Sequence, residues 1–272
     1  MDVEIAKGDK MVKIGIIGGS GVDNPDIIDH YKKKNIETEF GKPSDDITVG
    51  KINGVDVAVL ARHGPRHTIM PSSVNYRANI QAMKELEVTH IIATTACGSL
   101  KDEIKPGDFV ILDQFFDRTH KRETTFYTKD KICHLPMAHP FCDYLRGILI
   151  EKGKELGFRI HENGTVVTIE GPRFSTSAES KVWRKLGFDV VNMTTVPECV
   201  LAREAGIHYA SIAMVTDYDC WKQDDEVSVQ KVMDTMKKNK ERVLQLIKEV
   251  IPVIEDKECE TKCHTAFQDA LM

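Results

Sequence analysis

The sequence has no stripe of clustered positive charge, no paired CxxC cysteines, no internal repeat and no long apolar run, and each absence excludes a class of protein. Lys and Arg number 37 against 42 Asp and Glu, interspersed, for a net charge of −5. Nucleic-acid binding rests on clustered cations that displace counterions, so no nucleic-acid partner is expected. The longest apolar stretches, Val55 to Ala61 and Ile207 to Val215, fall far short of the roughly 18 uncharged residues of a membrane span. Asp2 and Glu4 stand where a secretory signal would be basic. The seven cysteines, at 97, 133, 142, 199, 220, 259 and 263, are scattered, which suits a reducing compartment. The expected location is therefore cytoplasmic, with a nuclear pool left open, and no membrane is expected as a partner. Cys259, Cys263 and His264 form the tightest grouping of metal-ligating types. Three ligands fall one short of a closed structural zinc site and the spacing supplies no fourth, so no metal is expected and the tail reads as unpaired.

What is present is an ordinary globular chain of 272 residues, 41% hydrophobic, long enough to bury roughly three quarters of its unfolded surface. Strand-like runs alternate with helix-like ones. Val12 to Gly18 is a Val/Ile run ending in glycines, as in a strand covered on both faces. Ile47 to Ile52 and Val55 to Ala61 flank Asn53-Gly54, a pair that tolerates positive φ and predicts a hairpin. Further strands are expected at 90–95, 109–115, 165–169, 188–193 and 208–215. Tyr76, Ile80 and Met83 recur at helical spacing. Thr176 with Glu179, and Thr195 with Glu198, each have the spacing of a capping box, with Gly187 and Gly206 placed to end those helices. A last helix is expected from Val227 to about Ile251, its apolar face carrying Val229, Val232, Met236, Val243, Ile247 and Val250. The stretch from Thr119 to His134 lacks periodicity and reads as a loop. With no linker to divide it, the chain is expected to be a single α/β domain over residues 12–254, with a large mixed, twisted β-sheet flanked by helices. Residues 1–11 form an extension and 255–272 a C-terminal tail, for which a place at a subunit interface is one option.

The polar clusters fall at the ends of these strands. Gly18-Gly19-Ser20-Gly21 follows the first strand and lets backbone amides and a hydroxyl converge on an anion, although a bare tight turn explains it equally well. It lacks the third glycine of a dinucleotide-binding loop. Ala61-Arg62-His63-Gly64 ends the hairpin; the Arg62 fork suits phosphate oxygens and His63 can add a donor. Thr94-Thr95-Ala96-Cys97-Gly98-Ser99 ends another strand with hydroxyls. Three such ends indicate one pocket for phosphate or a phosphate-bearing ligand. In Glu170 to Ser175 and Asn192 to Glu198, turn and cap roles account for most polar residues, including Thr195 and Glu198. Phe174 and Met193 could lie on a flat apolar ligand, with core packing as the alternative. Asp217 and Asp219 follow a buried strand. A desolvated carboxylate beside another has the raised pKa a general acid needs; a helix N-cap is the equal alternative for Asp219.

These six motifs, in this order, closely resemble the 5'-methylthioadenosine phosphorylases of the trimeric purine nucleoside phosphorylase superfamily, from about residue 12 to 254. The resemblance implies phosphorolysis of 5'-methylthioadenosine to adenine and 5-methylthioribose 1-phosphate, in purine and methionine salvage, by a pentosyltransferase working as a homotrimer with phosphate as co-substrate and no cofactor. It implies that Ser20, Arg62, His63, Thr95, Ala96 and Thr194 hold phosphate. Phe174, Met193, Asp217 and Asp219 would meet the nucleoside, with Asp217 catalytic. Ser175, Val229 and Val232 would set specificity, and His134 would reach a neighbouring subunit's pocket. A phosphorylase of 6-oxo purines is disfavoured, because a carboxylate at 217 leaves their carbonyl acceptor unpaired. A nicotinamide-dependent dehydrogenase and a non-catalytic nucleoside-binding regulator remain the rivals of other classes.

Overall fold

The computed structural model describes residues 12–19, 27–129, 131–222, 225, 227–255, 257 and 259–272. A mixed sheet of eleven strands forms its centre. The strands are β1 (Lys13–Gly18), β2 (Asp29–Lys34), β3 (Ile47–Ile52), β4 (Val55–Ala61), β5 (His90–Ser99), β6 (Phe109–Ile111), β7 (Gln114–Arg118), β8 (Ile160–His161), β9 (Thr165–Ile169), β10 (Val190–Asn192) and β11 (His208–Asp217). The helices are α1 (Tyr76–Glu85), α2 (Asp143–Glu155), α3 (Ser177–Lys185), α4 (Thr195–Glu204) and α5 (Val229–Val250). The sheet branches at β5, which pairs in parallel with β1 over residues 90–93 and with β11 over residues 90–98, and antiparallel with β10 at Gly98 and Ser99. One apolar layer takes in side chains of α1 and α4, such as Ile80, Met83, Leu201 and Ala202. The other takes in α2 and α5 through Leu145, Leu149, Val243 and Ile247. No helix among the described residues is long and apolar enough to cross a membrane.

The hairpin forms as its turn residues require: Ile52 faces Val55, and Asn53 and Gly54 take φ of 49° and 82°. The expected capping box of α3 is present, with Thr176 accepting from the Glu179 amide and Glu179 accepting from the Thr176 amide. Four expectations need correction. The run 109–115 is two strands, because β6 pairs with β11 and β8 whereas β7 pairs with β9, so the chain changes branch at Leu112-Asp113. The strand expected at 188–193 is confined to β10. The last helix begins at Val229, with Ser228 as its side-chain cap. Thr195 and Glu198 form no capping box: Val196 is non-helical, and the cap residue Thr194 makes no side-chain cap bond. β2 carries no apolar alternation to betray it; Asp-His-Tyr-Lys-Lys-Lys, exposed throughout, is an edge strand protected by its charge.

The loop before α2 and the C-terminal tail are tied to each other. Ile132 and Met272 exchange backbone hydrogen bonds, and the His134 amide donates to Ala270. Arg122 holds the loop's other end from inside, its guanidinium donating to the carbonyls of Val196 and Glu170 at 2.6 and 2.9 Å.

Candidate active site

The C-terminal ends of β1, β4, β5, β10 and β11 open onto one cavity of about 950 Å³, a size suited to a small organic ligand. Gly19, Arg62, His63, Thr95, Ala96, Thr194, Phe174, Ser175, Met193, Asp217, Asp219 and Val232 all line it. Ser20 lies outside the described residues.

Arg62 is buried and its fork is already engaged. Nε and Nη2 donate to the two carboxylate oxygens of Glu198 at 2.6 and 2.7 Å, Nη1 to the Thr94 carbonyl and Nη2 to that of Ile17. The Tyr209 hydroxyl adds a third donor to Glu198. Burial alone would lower the Arg62 pKa, and the Glu198 charge more than reverses this, so the guanidinium stays protonated. Five N–H groups less four bonds leaves one, on Nη1. The expected bidentate contact of Arg62 with phosphate is thereby corrected: the fork holds a carboxylate that the sequence presented as a helix cap.

His63 is corrected in the same way. Its Nδ1 lies 2.8 Å from the Ile69 carbonyl, an acceptor only, so Nδ1 carries the proton. Burial, reinforced by the Arg62 charge, lowers its pKa to about 4. At neutral pH its Nε2 therefore accepts rather than donates.

Beside them lies a chain of hydroxyls. Thr168 donates to Asn192 Oδ1, which turns the Asn192 amide nitrogen toward Thr95 and Thr195 at 3.2 and 2.6 Å. Thr194 Oγ1 meets Thr95 Oγ1 at 3.2 Å. Thr195 is thus a support of this network and not a cap. Asn192 stood inside a recognised motif, but nothing in its spacing revealed that it orients two threonines from separate elements.

On the other branch, β11 bulges between Val215 and Asp217, and Asp219 takes a left-handed φ of 51°, which brings both acids to the cavity. Asp217 accepts from Thr216 Oγ1 at 2.6 Å and from the Asp219 amide at 2.8 Å. Burial still raises its pKa to about 6, against the pull of those two bonds and with help from the Asp219 charge. Burial raises Asp219 as well. Gly98 makes room for the pair, since a Cβ there would stand 2.9 Å from Asp217 Oδ1 and 3.1 Å from Asp219 Cβ.

Phe174, Met193, Met214, Val232, Met233 and Met236 supply an apolar side. Gln230 and Asp234, which sequence reasoning missed, also line the cavity. Val229 is 68% exposed and is not among the residues lining the cavity, which corrects its assignment to the pocket; the α5 residues Val232 and Met236 line it instead. His134 is exposed and lies outside this chain's own cavity.

This α/β chain, with hydroxyl-bearing strand ends and a buried acid in one cavity, belongs to the Phosphorylase superfamily, whose profile matches residues 13–252. The S-methyl-5'-thioadenosine phosphorylase of Xenopus tropicalis is 56% identical over 250 residues, 89% of each chain. That of Ciona intestinalis is 48% identical over 264 residues, 95% of this chain and 94% of its own. Methylthioadenosine phosphorylase from Schistosoma mansoni, solved in complex with adenine, superposes with a TM-score of 0.89 at 44% identity, over 95% of this chain and 97% of that one. A mutant of the Schistosoma enzyme solved with methylthioadenosine gives the same score and identity, over 95% and 96% of the two chains. The chain belongs to the S-methyl-5'-thioadenosine phosphorylases of this superfamily.

Proposed function

We infer that this chain catalyses phosphorolysis of 5'-methylthioadenosine, releasing adenine and forming 5-methylthioribose 1-phosphate in purine and methionine salvage. The observation that carries this reading is the buried carboxylate of Asp217, its pKa raised to about 6, in the same cavity as Arg62, Thr95 and Thr194. Loss of the glycosidic bond makes the sugar cation-like, and the purine leaves well only when N7 is protonated or shares a proton. Asp217 supplies that proton and accepts from the exocyclic amine. Phe174 and Met193 lie against base and ribose.

Ser20, Thr95, Thr194, the Ala96 backbone and the remaining Arg62 N–H hold phosphate. His63 Nε2 accepts a hydrogen bond from a P–O–H group, which keeps its proton. Because Glu198 neutralises Arg62, the bound phosphate keeps most of its own negative charge, which favours the cationic sugar in the transition state. The reaction uses phosphate as co-substrate and no other cofactor. The working form is a cytoplasmic homotrimer in which His134 of each chain completes a neighbour's cavity and Ser175 and Val232 shape specificity.

A specific feature supports a wider range as a second reading: Gln230 and Asp234 offer polar partners near Val232 and Met233, so a free 5'-hydroxyl need not go unpaired. The Schistosoma relative is itself called an adenosine/methylthioadenosine phosphorylase. Release of the purine base, adenine or hypoxanthine, is measured from methylthioadenosine, adenosine and inosine, with and without phosphate. The expected result is phosphate-dependent release from the first, weaker from the second and little purine from the third. Release from methylthioadenosine without phosphate would replace phosphorolysis by hydrolysis, and no release at all would leave a binding protein.

A further inference from the structure

The fold brings two further ligands, Cys142 and His208, to the tail's Cys259 and Cys263, and leaves His264 outside the ligand set. Cys142, His208, Cys259 and Cys263 are all buried, and their four ligand atoms lie within 4.8 Å of one another. We propose that these four side chains bind one structural zinc ion, in a Cys3His site that fastens the C-terminal tail to the body of the domain.

Three of the four contacts between ligand atoms have the spacing of a tetrahedral ion, and the fourth, at 3.1 Å, opens by about 0.2 Å or more when the ion enters. Tetrahedral coordination with Zn–S of about 2.3 Å and Zn–N of about 2.0 Å requires ligand atoms about 3.3 to 3.8 Å apart. The sulfurs of Cys142 and Cys259 are 3.8 Å apart and those of Cys259 and Cys263 3.4 Å. His208 Nδ1 stands 3.1 Å from the Cys142 sulfur and 3.5 Å from that of Cys259. Three soft thiolates with one imidazole are a donor set suited to zinc.

The surroundings prepare the ligands. His264 Nδ1 lies 3.1 Å from the Gly206 carbonyl, so it carries a proton, and in the neutral ring its Nε2 is an acceptor. His208 Nε2, 2.8 Å away, then donates to it. This leaves the lone pair of His208 on Nδ1, facing the sulfurs, the tautomer a metal requires. The His90 ring stacks flat on His208 at 4.3 Å and fixes its plane. Cys142 is the N-cap of α2 and accepts from the Leu145 amide, which fixes its sulfur at the start of that helix. Thr261 donates its hydroxyl proton to Asp143 Oδ1 at 2.7 Å, and its Oγ1, 3.1 and 3.2 Å from the sulfurs of Cys259 and Cys263, holds these two side chains side by side. Binding exchanges three thiol protons for the ion, with no change of oxidation state.

The site is remote from the chemistry. His208 opens β11 and Asp217 closes it, roughly 30 Å along the strand at about 3.3 Å per residue. The ion therefore has a structural role: it joins α2, β11 and the tail.

Untagged full-length protein, produced with zinc supplied and purified under reducing conditions, is assayed for metal by mass spectrometry. One zinc per chain is expected, falling below about a tenth in Cys142→Ser and in Cys263→Ser and kept in Cys133→Ser, whose cysteine lies outside the cluster. His264→Ala keeps all four ligands and should lose about 10- to 100-fold in zinc affinity. Should the cysteine variants fail to fold, X-ray absorption of the wild-type protein decides, with three sulfurs and one nitrogen expected around zinc. Wild-type protein without zinc after incubation with the ion, an oxygen-dominated shell, or a Cys259–Cys263 disulfide in the reduced preparation would overturn the proposal.

Discussion

Arg62 shows how residue type alone misleads. An arginine at a strand end in a phosphate-seeking motif suggests a fork open to the anion, whereas in the fold its fork meets Glu198, a residue 136 positions away. No local pattern announces such a pair, because its spacing is set by the sheet. A buried pair broken on one side leaves a charge without a partner, at about 3 to 5 kcal/mol. Glu198→Ala and Arg62→Ala should each lose that much in urea unfolding, and Arg62→Met with Glu198→Leu should recover most of it. Single losses under about 1 kcal/mol would remove the pair from the structural frame. Asp217, in contrast, was legible, since an acid ending a buried strand can hardly escape desolvation. Its folded pKa of about 6 stands above the ordinary 3.8, so its favourable contribution is complete below pH 3.8 and is lost as pH rises through about 6. Asp217→Asn should therefore be more stable than wild type at pH 8, by about 1 to 2 kcal/mol after the weakened hydrogen bonds, with the difference gone near pH 4, while turnover on methylthioadenosine collapses. A stability difference independent of pH would mean that Asp217 is not the strained group.

At the scale of elements, the sequence revealed what period and turn chemistry encode. The hairpin, the strands β1, β9 and β11, the Thr176 box and the helix-ending glycines were visible because each depends on neighbours a few residues apart. Hidden were the division of 109–115 between two sheet branches, the charged edge β2 and the rotation of α5, all of which depend on what packs alongside. The rotation matters for selectivity. Val232 lines the cavity and Val229 is exposed, so Val232→Asn should narrow the preference for methylthioadenosine over adenosine in kcat/KM by about ten-fold, while Val229→Asn leaves it unchanged. The opposite pattern would mean that α5 is turned the other way over bound substrate. Gly98 offers a second test of element packing, because β5 and β11 approach closely only without a Cβ there. Gly98→Ala should reduce kcat/KM by at least about ten-fold by displacing both acids, with adenine affinity falling in parallel. Wild-type activity in Gly98→Ala would show that the acids tolerate a shift.

Across the whole molecule, the tail connects regions that the sequence treats as separate. It passes from the cysteine cluster, over Gly206, where Phe267 occupies the space a Cβ would need, to residues 131–134, where the chain's last residues form backbone bonds with the loop. Nothing in the composition of the tail marks these contacts, since backbone pairing at its end carries no side-chain signature. They set the backbone at His134, the residue proposed to complete a neighbour's cavity. Removing Gln268 to Met272 deletes the Ile132–Met272 pair and the bond from the His134 amide to Ala270, yet keeps Cys259, Cys263, His264 and Phe267. The three backbone bonds to the loop, at about 0.5 to 1.5 kcal/mol each, put that part of the stability loss at about 1.5 to 4.5 kcal/mol, small enough for the domain to remain folded. The truncated chain should sediment as the same oligomer. Its KM for methylthioadenosine should rise several-fold as the loop loses its position, and its KM for phosphate should stay unchanged, because the phosphate groups sit on strand ends that the tail does not touch. An unchanged KM for the nucleoside would separate His134 from the tail, and a matching rise in both constants would show that the truncation disturbs the cavity as a whole.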